Sequence, residues 1–260
     1  YPLAQENTAD YWRKLGELIS EFAKKNKIPK NKLLDIGGTV GVTMQDDRVA
    51  ARKEKVQEYV FDMDLAREPI GMPVHFRHGT KMAAVAQCRR NESAKNFIYI
   101  YLGAKISGAI IYDGKVVDFS GINGELGCML TLNPSDSVRV DSIFSRKILC
   151  KKAGCKNLPE FFTKVKEKDP VCTPIWHTYL EQLTLFAHDI FCLFGWPIVL
   201  GGSVSPYIGD DLAFLEEKVH EYYAFEEIPD KILSVSSLGE YGSAVGAALV
   251  SINRFFDSDI

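Results

Sequence analysis

The chain has 260 residues, 46% of them hydrophobic and 25% charged, which are ordinary globular proportions that exclude disorder, collagen-like repeats and coiled coil. Its 31 basic and 34 acidic residues leave a formal charge of −3, so this chain alone has no net attraction for DNA. The most apolar stretch, residues 183–200, is interrupted by His188, Asp189, Gly195 and Pro197 and is too broken to span a bilayer.

In chain order, Tyr11, Leu15, Leu18, Ile19 and Phe22 share one helical face, after candidate caps at Asn7 or Thr8 and before the breakers Asn26 and Pro29. An amphipathic helix is expected there. Residues 33–44 read as an apolar, Gly-interrupted strand or loop, and residues 56–67 suit a strand or a short helix equally. Residues 82–90 are helical in character and lead through a polar stretch into Phe97-Ile-Tyr-Ile-Tyr-Leu102, a β-branched and aromatic run that predicts a strand. Asp113-Gly114, between residues 106–111 and 115–119, supplies the positive φ values of a tight hairpin turn.

Residues 159–168 open a helical second half, and Ile175, Tyr179, Leu183, Phe186, Ile190 and Leu193 then recur at spacings of three and four along a long helix. Gly195 and Pro197 end it. A short buried strand, Ile198-Val-Leu200, runs into Gly201-Gly202, followed by a helix near 212–219 and a last strand over 232–235. The final helix carries Gly242, Ala244, Gly246, Ala247 and Ala248, whose small side chains permit close backbone approach. Trp12, Trp176 and Trp196 sit on or beside apolar faces and are read as core. Interleaved strands and helices predict an α/β fold with mixed sheets.

Six cysteines without paired C-x-x-C spacing, in a chain that needs no staples, point to reduced thiols and a cytoplasmic setting. The first residue is Tyr1 rather than Met, so further sequence upstream is expected.

Residues 98–129 hold the most informative order of features: strand, the turn Gly103-Ala-Lys-Ile-Ser-Gly108, strand, Asp-Gly hairpin, strand, then Gly124-Glu-Leu-Gly-Cys128. In that order the chain resembles the ROK family of bacterial sugar kinases and sugar-responsive repressors, whose members carry a Gly-Thr-Gly phosphate loop and Gly-Glu-x-Gly-His. Ile198-Val-Leu-Gly-Gly202 is similar to the family's nucleotide-side turn, and residues 242–249 to its closing Gly-Ala-Ala helix. The resemblance covers about residues 1–255. It implies an actin-like ATPase (ribonuclease H-like) two-lobed α/β fold with a truncated N-terminal lobe. The partial N-terminal lobe would span 1–105, and residues 106–260 would form a C-terminal lobe with the dimerisation and effector-binding elements.

Departures from the family pattern bear on function. Pro73-Val-His-Phe-Arg-His-Gly-Thr-Lys-Met-Ala-Ala84 matches the segment with the family's Asn-Asp pair, which puts His78 on the Asn and Gly79 on the Asp that acts as general base. Phosphoryl transfer to a sugar hydroxyl needs a proton acceptor at that point, and glycine has none. His78 is read as a polar binding residue, with a substitute-base role as the alternative. Ala104 and Lys105 replace the phosphate loop's Thr-Gly pair, so no nucleotide cofactor is expected; Lys105 would be solvated or grip an anion. Asp35-Ile-Gly-Gly-Thr39 spells the family's opening nucleotide motif yet lies only 39 residues before His78, under half the family's separation. It is read instead as the later strand leading to the sugar cleft through Thr39-Val-Gly-Val42.

The family's structural zinc uses the motif's histidine and three cysteines. Here Cys128 replaces the histidine, the following loop has no cysteine, and Cys150-Lys-Lys-Ala-Gly-Cys155 falls too late in the chain, so no metal is expected. The family's sugar-binding carboxylates map onto Glu125 and Asp141, for which a turn-capping and a helix N-cap role are the respective alternatives. Cys128 is read as a small packing residue. The expected ligand cleft joins Arg77, His78, Glu125, Cys128 and Asp141, with no catalytic residue. The resemblance then implies a homodimerising, carbohydrate-sensing part of a transcriptional regulator that would reach DNA only through an upstream domain. A carbohydrate kinase is the alternative.

Overall fold

The computed structural model describes residues 9–33, 35–41, 44–45, 48–49, 70–91, 93–118, 123–131, 136–223 and 228–255. The candidate caps Asn7 and Thr8 and the ambiguous residues 56–67 lie outside them. The first helix, α1 (Ala9–Lys25), is followed by β1 (Ile36–Val40), the two-residue strands β2 (Met44–Gln45) and β3 (Arg48–Val49), and β4 (Val74–His78). β1 and β4 pair in parallel, Ile36 with Val74 through Val40 with His78. Trp12, Val40, Ile70, Val74 and Phe76 form the core beneath them. The buried seam of α1 therefore runs through Trp12 and Ala23, while Phe22, expected on that seam, is 62% exposed.

Helix α2 (Gly79–Arg90) starts directly at the end of β4, three residues before its sequence pattern turns helical. Strands β5 (Phe97–Leu102), β6 (Ile106–Tyr112) and β7 (Lys115–Val116) follow. Asp113 and Gly114 take the positive φ values of 47° and 74° that the hairpin turn requires. Then come α3 (Asp141–Phe144), α4 (Arg146–Ala153), α5 (Leu158–Lys166), α6 (Cys172–Phe194), β8 (Ile198–Gly201), α7 (Leu212–Tyr222), β9 (Leu233–Val235) and α8 (Gly242–Phe255). Neither α3 nor α4 has an apolar period long enough to announce it.

The main sheet has the order β7-β6-β5-β8-β9, with β6 antiparallel and β8 parallel to the central β5. Because side chains alternate across a strand, Ile98, Ile100 and Leu102 enter a large core with Leu183, Phe186 and Ile190 of α6. Phe97 and Tyr99 point the other way, onto Ala83 and Ala84 of α2. Both faces of β5 are thus buried, which is why it reads as an unbroken apolar run. A lobe boundary at residue 105 falls inside the β5–β6 hairpin, whose strands pair from Phe97 with Ile111 to Leu102 with Ile106, so β5 belongs with the C-terminal sheet. On α6, Gly195 caps the end with φ 62°, and Leu193, expected on the buried stripe, is 69% exposed beside it. Helix α8 returns to pack on α2 and β1. Among the described residues no helix is long and apolar enough to cross a membrane.

Candidate functional site

A cavity of about 640 Å³ opens where the ends of β1 and β4 and the first turn of α2 face the β5–β6 turn. Thr39 and Val40 line it from β1 and Gly41 from just after it, His78 from β4, and Gly79 and Thr80 from α2. Lys105, Ser107, Glu125 and Asp141 line it from the opposite side. The floor is pinned by Ser107 Oγ, which donates to Thr80 Oγ1 at 2.6 Å in a buried contact that joins β6 to α2.

The Gly124-Glu-Leu-Gly-Cys128 motif is shaped by its glycines. Gly124 sits at φ 90°, a conformation costly for any other residue, with its carbonyl accepting from the Gly108 N–H at 2.5 Å. A methyl group there would run into the Gly108 carbonyl. This tight docking puts Glu125 at the start of a single 3-10 turn, Leu126–Cys128, with its Oε1 3.6 Å from His78 Nε2. The two side chains are only 20% and 10% exposed, so a strand-end imidazole and a turn carboxylate meet in a sheltered place. Asp141 opens α3, and its Oδ1 accepts from the Ile106 N–H at 2.6 Å. The N-cap position of α3 is Val140, so Asp141 stands one residue inside the helix, and the N-cap role open to it in the sequence is not the one it takes. A carboxylate has lone pairs on both oxygens, so Asp141 can hold the turn and still accept from a ligand hydroxyl.

Thus the structure brings His78, Glu125 and Asp141 to one cavity and does not bring Arg77 or Cys128 there. Arg77 follows the alternation of β4 to the face opposite His78, and its Nη1 donates to the Phe76 carbonyl at 3.0 Å. Cys128 ends the 3-10 turn with its side chain in solvent. A tetrahedral zinc needs four N or S ligands, and among the described residues no three His, Cys, Asp or Glu side chains converge to hold a metal.

Several lining residues had no motif to announce them. Tyr101, Arg146, Glu240 and Ser243 face one another at one end of the cavity. Burial pushes the Tyr101 hydroxyl above the ordinary phenol value; Arg146 pulls it down, Glu240 pushes it up, and a hydrogen bond with Ser243 pulls it down. Arg146 is placed by its own N–H, which donates to the Gly103 carbonyl at 2.8 Å. Arg146, Glu240, Tyr241 and Ser203 also line a second cavity of about 920 Å³, where Lys147 and Lys156 add positive charge.

The sequence model of the ROK family matches residues 4–254. The chain belongs to the ROK family. No curated protein matches it in sequence. Among solved structures, the ROK hexokinase from Thermus thermophilus aligns with a TM-score of 0.73 at 19% identity, over 99% of this chain and 91% of that one. A ROK family protein from Streptococcus pneumoniae in complex with sucrose aligns at 0.72 and 18% identity, over 94% and 87%. A ROK family transcriptional regulator homologous to the Escherichia coli Mlc protein aligns at 0.71 and 16% identity, over 94% and 68%. At such identities the likeness establishes the fold, that of the actin-like ATPases. Both kinases and a regulator share it.

Proposed function

We propose that this chain is the effector-binding and dimerising part of a ROK-type transcriptional regulator that senses a carbohydrate without phosphorylating it. The observation that carries the reading is Gly79, at the first turn of α2 and on the wall of the 640 Å³ cavity. The resemblance calls for a proton-accepting carboxylate at that point, and glycine supplies no such group. What remains around Gly79 suits recognition: Glu125 and Asp141 accept from sugar hydroxyls, and His78 beside Glu125 offers a polar ring edge. The sucrose bound to the pneumococcal relative supports a carbohydrate ligand. DNA contact belongs to a separate domain, in keeping with the charge of −3.

The mechanism is a population shift. A ligand held by Glu125 and Asp141 on one wall and by His78 and Thr39 on the other favours one spacing of the walls, and that preference biases the dimer between two arrangements. The kinase reading rests on the hexokinase among the similar structures.

A thermal-shift screen of mono-, di- and phosphosugars, with ADP release measured beside it under Mg-ATP, separates the two. Saturating ligand at a hundred times Kd adds about 2.7 kcal/mol of stability. The expected result is one sugar that raises Tm, a shift lost in Glu125→Ala because a charged hydrogen bond is worth about 1.5–3 kcal/mol, and no ADP. Sugar-dependent ADP release would overturn the proposal, and a hit unchanged in Glu125→Ala would remove that residue from the site.

A further inference from the structure

The six cysteines occupy contrasting environments. Cys150, Cys155 and Cys172 are buried together, with Cys155 Sγ and Cys172 Sγ 3.8 Å apart. Burial pushes the Cys172 thiol up to about 12 and that of Cys150 upward, which keeps both protonated and unreactive. Cys192, in the last turn of α6, is exposed. Its spacing of four from His188 puts both on one helical face, with Sγ 3.5 Å from His188 Nε2. The other ring nitrogen, Nδ1, lies 3.3 Å from Asp189 Oδ1. The rings of Tyr222 and Tyr223 stand edge-on to the imidazole at 6.1 and 6.2 Å and hold it from α7 and the residue after it. A nucleophile with a base in reach, and a base steadied by a third group, is the general form of an activated nucleophile. Nothing in the carbohydrate site uses it.

We propose that Cys192 is a modification site, activated by His188, for low-molecular-weight disulfides such as glutathione disulfide. With its Nδ1–H donating a hydrogen bond to the Asp189 carboxylate, His188 takes the Cys192 proton on Nε2 and becomes an imidazolium. The thiolate sulfur attacks one sulfur of the disulfide, the old S–S bond breaks, a mixed disulfide forms on Cys192, and the second half leaves as a thiolate that picks up the proton from His188. No net oxidation beyond that carried by the disulfide is needed. The modification places a bulky polar group on a surface that also exposes Leu193.

The test incubates the full chain with glutathione disulfide and follows each cysteine by peptide mass mapping. Cys128 is also exposed and serves as the internal control for access alone. Cys192 is expected to react roughly tenfold faster than Cys128, since an imidazole nitrogen stands within reach of its sulfur. In His188→Gln and in the ring-shaped His188→Phe the Cys192 rate is expected to fall to the Cys128 rate, with the Cys128 rate unchanged. Equal rates at the two cysteines in the unaltered chain would overturn the proposal without any variant. A fast Cys192 rate that survives both folded variants would overturn it as well, since His188 would then have no part.

Discussion

Two regions of the molecule reach close packing by opposite means. Around β5 and α6 the core is filled by large side chains, with Ile100, Leu102, Leu183 and Ile190 all essentially without solvent contact. Between α8, α2 and β1 the packing is backbone against backbone. A methyl group built on Gly246 would run into the Met82 carbonyl, and one on Gly37 into the Ala247 carbonyl. The first region is sensitive to removal of volume and the second to its addition. The 640 Å³ cavity lies where they meet, with Glu125 and Asp141 held from the sheet side and His78 and Gly79 from the helix seam. Its geometry therefore depends on both kinds of packing.

The largest effect separating the regions should come from Leu183→Ala, which empties part of the main core against Ile98 and Ile100. A loss of about 2–5 kcal/mol is expected, depending on how far the site collapses, and denaturant unfolding would measure it. A loss under about 1 kcal/mol would mean that the core around α6 is less tightly filled than its burial implies.

A smaller and opposite experiment is Gly246→Ala. In an isolated helix this change would stabilise by about 0.5–1 kcal/mol. Here the added methyl meets the Met82 backbone, so a net loss of about 1–3 kcal/mol is expected. The comparison breaks if the variant melts at or above the temperature of the unaltered chain, because the seam would then be yielding. If it melts lower and also weakens sugar binding, the seam is shown to set the position of the Gly79 wall.

Legibility in the sequence follows the same division. The β5 strand, the Asp113-Gly114 hairpin and α6 are plain in the chain because large apolar residues with a regular period announce elements packed by side chains. Helix α8 announced itself only as a cluster of small residues; its partners, α2 and β1, follow from the approach those residues allow and cannot be read from a period. Motif order points to Glu125 and Asp141, and both line the cavity. Arg77 stands away from the cavity because a strand sends neighbouring side chains to opposite faces, and a motif match does not carry that information. Tyr101, Arg146 and Glu240 come together through tertiary contacts across 139 positions of chain, and no local pattern marks them.

The smallest expected effect tests where the glycine seam ends. At Gly79 a built Cβ would lie 3.4 Å from Ser243 Oγ and 3.7 Å from Thr39 Cβ and the Val40 carbonyl, all ordinary contact distances. Unlike Gly246, this glycine is not required by packing. In Gly79→Asp the helix start gains from the lower freedom of the unfolded chain, about 0.4–1 kcal/mol. It also gains a carboxylate at its N-terminus, favourable by about 0.3–1 kcal/mol. The new charge faces Glu125 across the cavity, which opposes both. A melting temperature equal to or slightly above that of the unaltered chain is therefore expected, together with altered sugar binding. A clear loss of stability would place Gly79 inside the seam, and its missing side chain would then be a demand of folding that says nothing about catalysis.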